Sequence, residues 1–200
     1  KDNVNIDAVM ESIRERFGKS CVLVNMPIGA GPGFKGVVDL LTVGTGRDLS
    51  LPDDDKEKAL DLRNSLIEAI AEKNDELLEK YLEGKELTIE EIKAGFKKAI
   101  SNKELFPVYC GSATLNIGIK ELMLNLFDAL PSPSETKPRK AKDPSTNQDK
   151  ELKTDGAGSF SGFVFKSVSD PYVGQLTIFR VYTGSIKADT SFYNSTKGTT

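Results

Sequence analysis

The sequence predicts an α/β domain followed by the opening of an all-β domain, and three observations predict it. Short apolar strand-like runs alternate with helical stripes up to residue 130. Pro131 to Gly158 is rich in Pro, Ser, Thr, Lys and Asp, with almost nothing apolar, and reads as a linker. From Phe160 onward, β-prone runs are separated by turn residues. At 200 residues, 38% apolar and 28% charged, the chain suffices for one ordinary domain or two small ones.

The first element is a helix, because Ile6, Val9, Met10, Ile13 and Phe17 form one stripe at helical period, and Gly18 stands at its C-cap. Cys21 to Val24 is a short buried strand. Pro27 to Gly33 is a loop by composition and leads into the β-prone run Phe34 to Leu41. That loop has no GxxxxGK[ST] pattern and opens onto a strand, so its amides are not arrayed around a phosphate.

Asp53 to Ile100 is helical and acidic. Ala59, Leu62, Leu66 and Ile70 make one stripe, Leu77, Leu78, Tyr81 and Leu82 a second, and Gly84 ends that run. Thr88-Ile89-Glu90-Glu91 is a capping box, after which Ile92, Phe96 and Ile100 share one face. Between Asp53 and Glu91 stand 14 acidic against 6 basic residues, a net −8 on a chain whose total is −3. Most such faces are simply solvated, but so concentrated a patch is a candidate docking surface.

Phe106 to Cys110 is a further strand, followed by Gly111-Ser112-Ala113. Ile119, Leu122, Met123, Leu126, Phe127 and Leu130 then form a regular helical stripe, with Asn116 its expected N-cap and Pro131 and Pro133 its stop. A strand ending in small residues ahead of a helix is where open α/β sheets bind ligands, because small side chains admit a flat molecule to the backbone. By itself the same pattern is also an ordinary turn. Beyond Phe160, the runs Phe160–Val168, Gln175–Tyr182 and Ser191–Asn194 read as three strands, too few to close a barrel, so a C-terminal truncation is expected.

Composition removes several chemistries. The chain has no histidine, which excludes Ser-His-Asp and Cys-His catalysis and most zinc sites. Cys21 and Cys110 sit in separate strand-like runs without metal spacing, and read as structural thiols of a cytoplasmic protein. No apolar run approaches the ~20 residues that span a bilayer. Paired acids such as Asp53-Asp54-Asp55 and Glu90-Glu91 are helix-start residues, favourable against the macrodipole. No constellation for catalysis emerges from the residues alone.

Five segments, in order, carry a resemblance. They are Pro27-Ile28-Gly29 with Phe34-Lys35-Gly36-Val37-Val38-Asp39-Leu40; Glu79 to Thr88; Pro107-Val108-Tyr109-Cys110-Gly111-Ser112-Ala113; Leu130-Pro131-Ser132-Pro133; and Asp170 to Thr177 with Phe179 to Gly184. Together they resemble the translational GTPases of the elongation factor G family. The resemblance implies the C-terminal part of a P-loop GTPase domain over 1–133, with an α+β inserted subdomain at about 19–105. It further implies a linker over 134–158 and the start of the second domain, a truncated all-β translation-factor barrel, over 159–200.

By the same resemblance, Ser112 and Ala113 contact the guanine base through their backbone. The parent would be a cytoplasmic GTP hydrolase that binds GTP or GDP with Mg, acts on the ribosome in translocation of tRNA and mRNA, and has no membrane partner. The phosphate loop, switches and Asn-Lys-x-Asp motif would precede Lys1, so this chain is not expected to bind or hydrolyse GTP. The acidic insert implies contact with the stalk proteins of the large ribosomal subunit, through Glu68, Glu72, Asp75 and Glu79. One departure leaves the parent's step open: the stretch from Leu41 to Asp53 is short and lacks a tryptophan-bearing strand region. A paralogue, a ribosomal protection protein and a release-factor-type GTPase share the architecture. A non-enzymatic acidic adaptor that binds protein partners is the reading from another class.

Overall fold

The computed structural model describes residues 4–44 and 51–200. Lys1, read above as following the Asn-Lys-x-Asp motif, and residues 45–50 of the short 41–53 stretch lie outside the described residues. The chain divides into two compact units, Lys1–Leu130 and Pro131–Thr200.

In the first unit, α1 (Ile6–Phe17) is capped by Asn5, whose side chain accepts from the Ala8 amide. Gly18 closes it at φ 95°, donating its N–H to the Arg14 carbonyl. β1 (Cys21–Leu23) pairs in parallel with β4 (Phe106–Val108), Cys21 opposite Phe106 and Leu23 opposite Val108. β2 (Asn25–Ile28) pairs antiparallel with β3 (Gly36–Asp39), so the strand runs through Pro27 and Ile28, which composition alone placed in a loop. The loop proper is a 3-10 turn at Gly31–Gly33.

Val24 joins the two sheets. Its N–H donates to the Val108 carbonyl at 3.0 Å, and its own carbonyl accepts from the Leu40 N–H at 2.9 Å. One continuous segment thus serves two ladders, and the change of partner happens at a fully buried residue.

The helices α2 (Asp53–Ala71), α3 (Asp75–Leu82) and α4 (Ile89–Ser101) lie between β3 and β4 in sequence. Each start has a local cause. Asp53, Asp54 and Asp55 face the positive end of α2. Asn74 accepts from the Glu76 and Leu77 amides, and Thr88 and Glu91 form the expected capping box. The expected stripes are buried at Ala59, Leu66, Ile70, Leu77, Ile92 and Phe96, which join Val22, Val24, Met26, Leu40 and Leu105 in one core. α3 approaches α4 closely enough that a Cβ on Gly95 would meet Leu77 Cδ1 at 2.5 Å and Ile70 Cγ2 at 3.1 Å. Arg63 of α2 donates to the Leu41 carbonyl at 3.1 Å, tying the helix to the turn after β3.

α5 (Ile119–Ala129) forms as its period predicts, but with a different buried face. Asn125 and Ala129 turn inward, while Met123 (64% exposed) and Phe127 (85%) of the apolar stripe face outward. Its N-cap is Gly118, not Asn116; Asn116 instead takes φ 53° inside the preceding loop.

The second unit corrects the linker reading. β5 (Arg139–Lys142) and β6 (Asp149–Leu152) form a hairpin within it, in which Lys140 opposes Glu151 and Lys142 opposes Asp149. Its register partners are mostly charged, so no apolar alternation marks the hairpin and composition hides it. Arg139 stacks over the Tyr182 ring at 4.6 Å. β7 (Ser161–Asp170) and β8 (Gly174–Thr183) form the expected long hairpin, turned by Asp170, whose carboxylate accepts from the Tyr172 and Val173 amides. The third strand, Ser191–Asn194, does not form. Asn194 accepts from the Thr196 and Lys197 amides and curls the segment into a turn closed by a single bridge to Thr199.

Phe96 is the largest fully buried side chain of the first unit. Phe96→Ala is expected to lose about 3–5 kcal/mol in urea denaturation, whereas a loss under about 1 kcal/mol would contradict this core.

Candidate functional site

β4 ends at Val108, and the next five residues carry the chain out of the core: Tyr109, Cys110, Gly111, Ser112 and Ala113. The loop folds back on itself at once. Ser112 N–H donates to the Ile117 carbonyl at 2.9 Å, and Ile117 N–H returns a bond to the Ser112 carbonyl at 3.0 Å. Inside that closed loop, the Asn116 N–H donates to the Ala113 carbonyl at 3.3 Å, and the Leu115 N–H to Ser112 Oγ at 3.3 Å.

This accounting separates the two residues singled out from sequence. The Ser112 amide is committed to Ile117. Ala113 is exposed, and its N–H donates to no protein group among the described residues. An exposed, unspent donor beside a side chain as small as a methyl group is what a flat acceptor-bearing ligand needs for close approach.

The loop's base is rigid. Asn25, fully buried, accepts from the Cys110 N–H through Oδ1 at 2.6 Å and donates from Nδ2 to the Cys110 carbonyl at 2.9 Å. Gly118 packs close by at φ 76°, where a Cβ would lie 3.1 Å from the Cys110 carbonyl oxygen and 3.1 Å from Val37. Sequence reasoning missed both residues. Gly118 had a signal, since a glycine before a helical stripe can mark a left-handed position. Asn25 reads as an unremarked polar residue in an apolar strand.

Two groups at the strand end, the Tyr109 phenol and the Cys110 thiol, are held protonated at neutral pH. Burial pushes the Tyr109 phenol up to about 12, with the Asp39 carboxylate adding to the shift, and its buried hydroxyl has no hydrogen-bond partner among the described residues. Burial also raises the Cys110 thiol, so it stays protonated. Asp39 is raised by burial, against the Leu41 N–H and the Asn125 side chain, which hold it down. Neither Tyr109 nor Cys110 is poised to give or take a proton at neutral pH, and what the loop itself offers a ligand is backbone.

The four acidic residues lie elsewhere in the unit. Glu68 and Glu72 sit one turn apart at the end of α2, and Asp75 and Glu79 one turn apart on α3. All four are exposed. Glu72 forms a weak ion pair with Lys73 at 3.6 Å.

No protein-family model matches this chain. Among solved structures it is similar to the crystal structure of a protein from Thermus thermophilus whose designation carries no function. The two are 27% identical with a TM-score of 0.68 over 91% of this chain, which spans only 26% of that one. The likeness supports a similar mixed helix-and-strand fold.

Gly84 and Gly118 both have positive φ, but only Gly118 would place a Cβ against neighbouring atoms. Gly84→Ala is expected to lose about 1–2 kcal/mol from its backbone conformation alone. Gly118→Ala should lose more in the same urea titration, and equal losses would contradict the close packing of this loop.

Proposed function

We propose that this chain is part of a ribosome-associated translational GTPase of the elongation factor G kind. It contributes one half of a guanine site, an acidic helical insert, and the opening of a second, β-barrel domain. The observation that carries this reading is the loop at the carboxyl end of β4, where Gly111-Ser112-Ala113 presents the exposed Ala113 amide. The five ordered sequence segments support it; the Thermus likeness, which extends over 91% of the chain, supports a similar fold and no more.

In this reading the Ala113 N–H meets the guanine base, and Ser112 holds the loop closed beneath it. The parent protein binds GTP or GDP with Mg, hydrolyses GTP, and drives movement of tRNA and mRNA on the ribosome in the cytoplasm. Phosphoryl transfer depends on positioned phosphates and metal. The loop here supplies base contact only, so the 200-residue chain neither binds nor hydrolyses the nucleotide by itself.

Two experiments follow. Calorimetry with millimolar GTP should give no saturable binding to the 200-residue chain and clear binding, with Mg, to the complete polypeptide. Saturable binding by the shorter chain contradicts this division of the site, and absence of binding by the complete polypeptide contradicts the function. The exposed carboxylates Glu68, Glu72, Asp75 and Glu79 are the proposed contact with the ribosomal stalk. Reversing all four charges should weaken binding of the stalk protein's C-terminal domain several-fold, more at low salt than at high. Identical isotherms for the two proteins would remove that contact.

A further inference from the structure

We propose that Asn25 is the positioning residue of the Gly111-Ser112-Ala113 loop, a side-chain clamp that fixes where the base-contacting amide stands. The inference rests on the function proposed above and adds to it a residue remote in sequence from the loop.

The β1–β4 ladder ends at the bond from Val24 N–H to the Val108 carbonyl. Past that point the chain turns away to pair with β3, Asn25 standing opposite Asp39. No strand backbone remains to pair with Cys110, whose N–H and carbonyl lie in a partly buried region. The Asn25 carboxamide takes the place of a strand neighbour, accepting from the Cys110 N–H and donating to the Cys110 carbonyl. A carboxamide offers an acceptor and a donor at this spacing, which no apolar residue does.

The clamp acts at short range. Only Gly111 separates Cys110 from Ser112, and the backbone of Gly118 approaches so closely that a Cβ there would lie 3.1 Å from the Cys110 carbonyl oxygen and 3.3 Å from Gly111 Cα. If the clamp is lost, two backbone groups lose their partners, and the loop must shift toward other partners or water. The Ala113 amide shifts with it.

The test uses the complete polypeptide and GDP, with two variants. Asn25→Leu keeps the volume and removes both bonds. Asn25→Asp replaces the carboxamide with a group that is isosteric with it only when protonated. That aspartate would be buried and opposite Asp39, both of which raise its pKa. Cys110 and Tyr109 are the other titratable neighbours and are common to all the proteins compared. Asn25→Leu is expected to weaken GDP binding about tenfold or more. Asn25→Asp should bind like the wild type at about pH 6 and like the leucine variant at about pH 8.5, with the wild-type affinity flat across that range.

Wild-type affinity in Asn25→Leu, or an aspartate variant that tracks the wild type at both pH values, overturns the clamp. If the leucine variant fails to fold, the pH response of the aspartate variant decides alone. Failure of the wild type itself to bind GDP is a separate result, which overturns the proposed function and the clamp with it.

Discussion

Everything in the first unit depends on the change of hydrogen-bond partner at Val24 and Asn25. A strand normally belongs to one sheet. Here the segment pairs with β4 through Val24 N–H and with the end of β3 through the Val24 carbonyl, so one residue serves two ladders. The junction is buried without exposure at either residue, where an unpaired backbone group would cost about 1–3 kcal/mol. β2, β3 and the three helices that follow can therefore be inserted between β1 and β4 without separating those strands. Pro107 fits this geometry. The Phe106 N–H and Val108 carbonyl face β1, so the proline nitrogen, which has no proton to donate, faces the other way.

The two units are held by different physics. The first has a contiguous apolar core from β1, β2, the turn after β3, and the inner faces of α2, α3 and α4. Glu68, Glu72, Asp75 and Glu79 are exposed, and the Glu91 carboxylate, held down to about 2 chiefly by Lys80 and also by Thr88, links α3 to the start of α4. In the second unit, Thr183 alone is buried among the described residues, and Phe163, Val164 and Phe165 are each more than half exposed. What order it has comes from the long β7–β8 ladder, from side chains that cap its turns, and from edge-to-face contacts of Phe160 with Phe179 and Phe192.

Legibility in the sequence followed the range of the interaction. Helix starts governed by local chemistry, such as Thr88 with Glu91, could be read directly, as could the helical periods of α1, α2 and α4. The β5–β6 hairpin could not, since its strands are mostly charged and leave no apolar alternation. Nor could the inward face of α5, because the stripe Met123–Phe127 marks apolarity while the buried Asn125 donates to Asp39, a partner distant in the chain. At the candidate site, Ser112 and Ala113 were visible as small residues after a strand. The difference between them was not, because it depends on Ile117 closing the loop onto Ser112 alone. Asn25 was hidden for a further reason, that its partner Cys110 is distant in the chain.

If β4 delivers a backbone amide to a purine, as proposed, the amide itself reports on it. In proton–nitrogen correlation spectra of the complete polypeptide, GDP should move the Ala113 resonance strongly and the Ser112 resonance far less, since the Ser112 proton is already bonded to Ile117. An Ala113 resonance unmoved at saturating GDP would contradict the account.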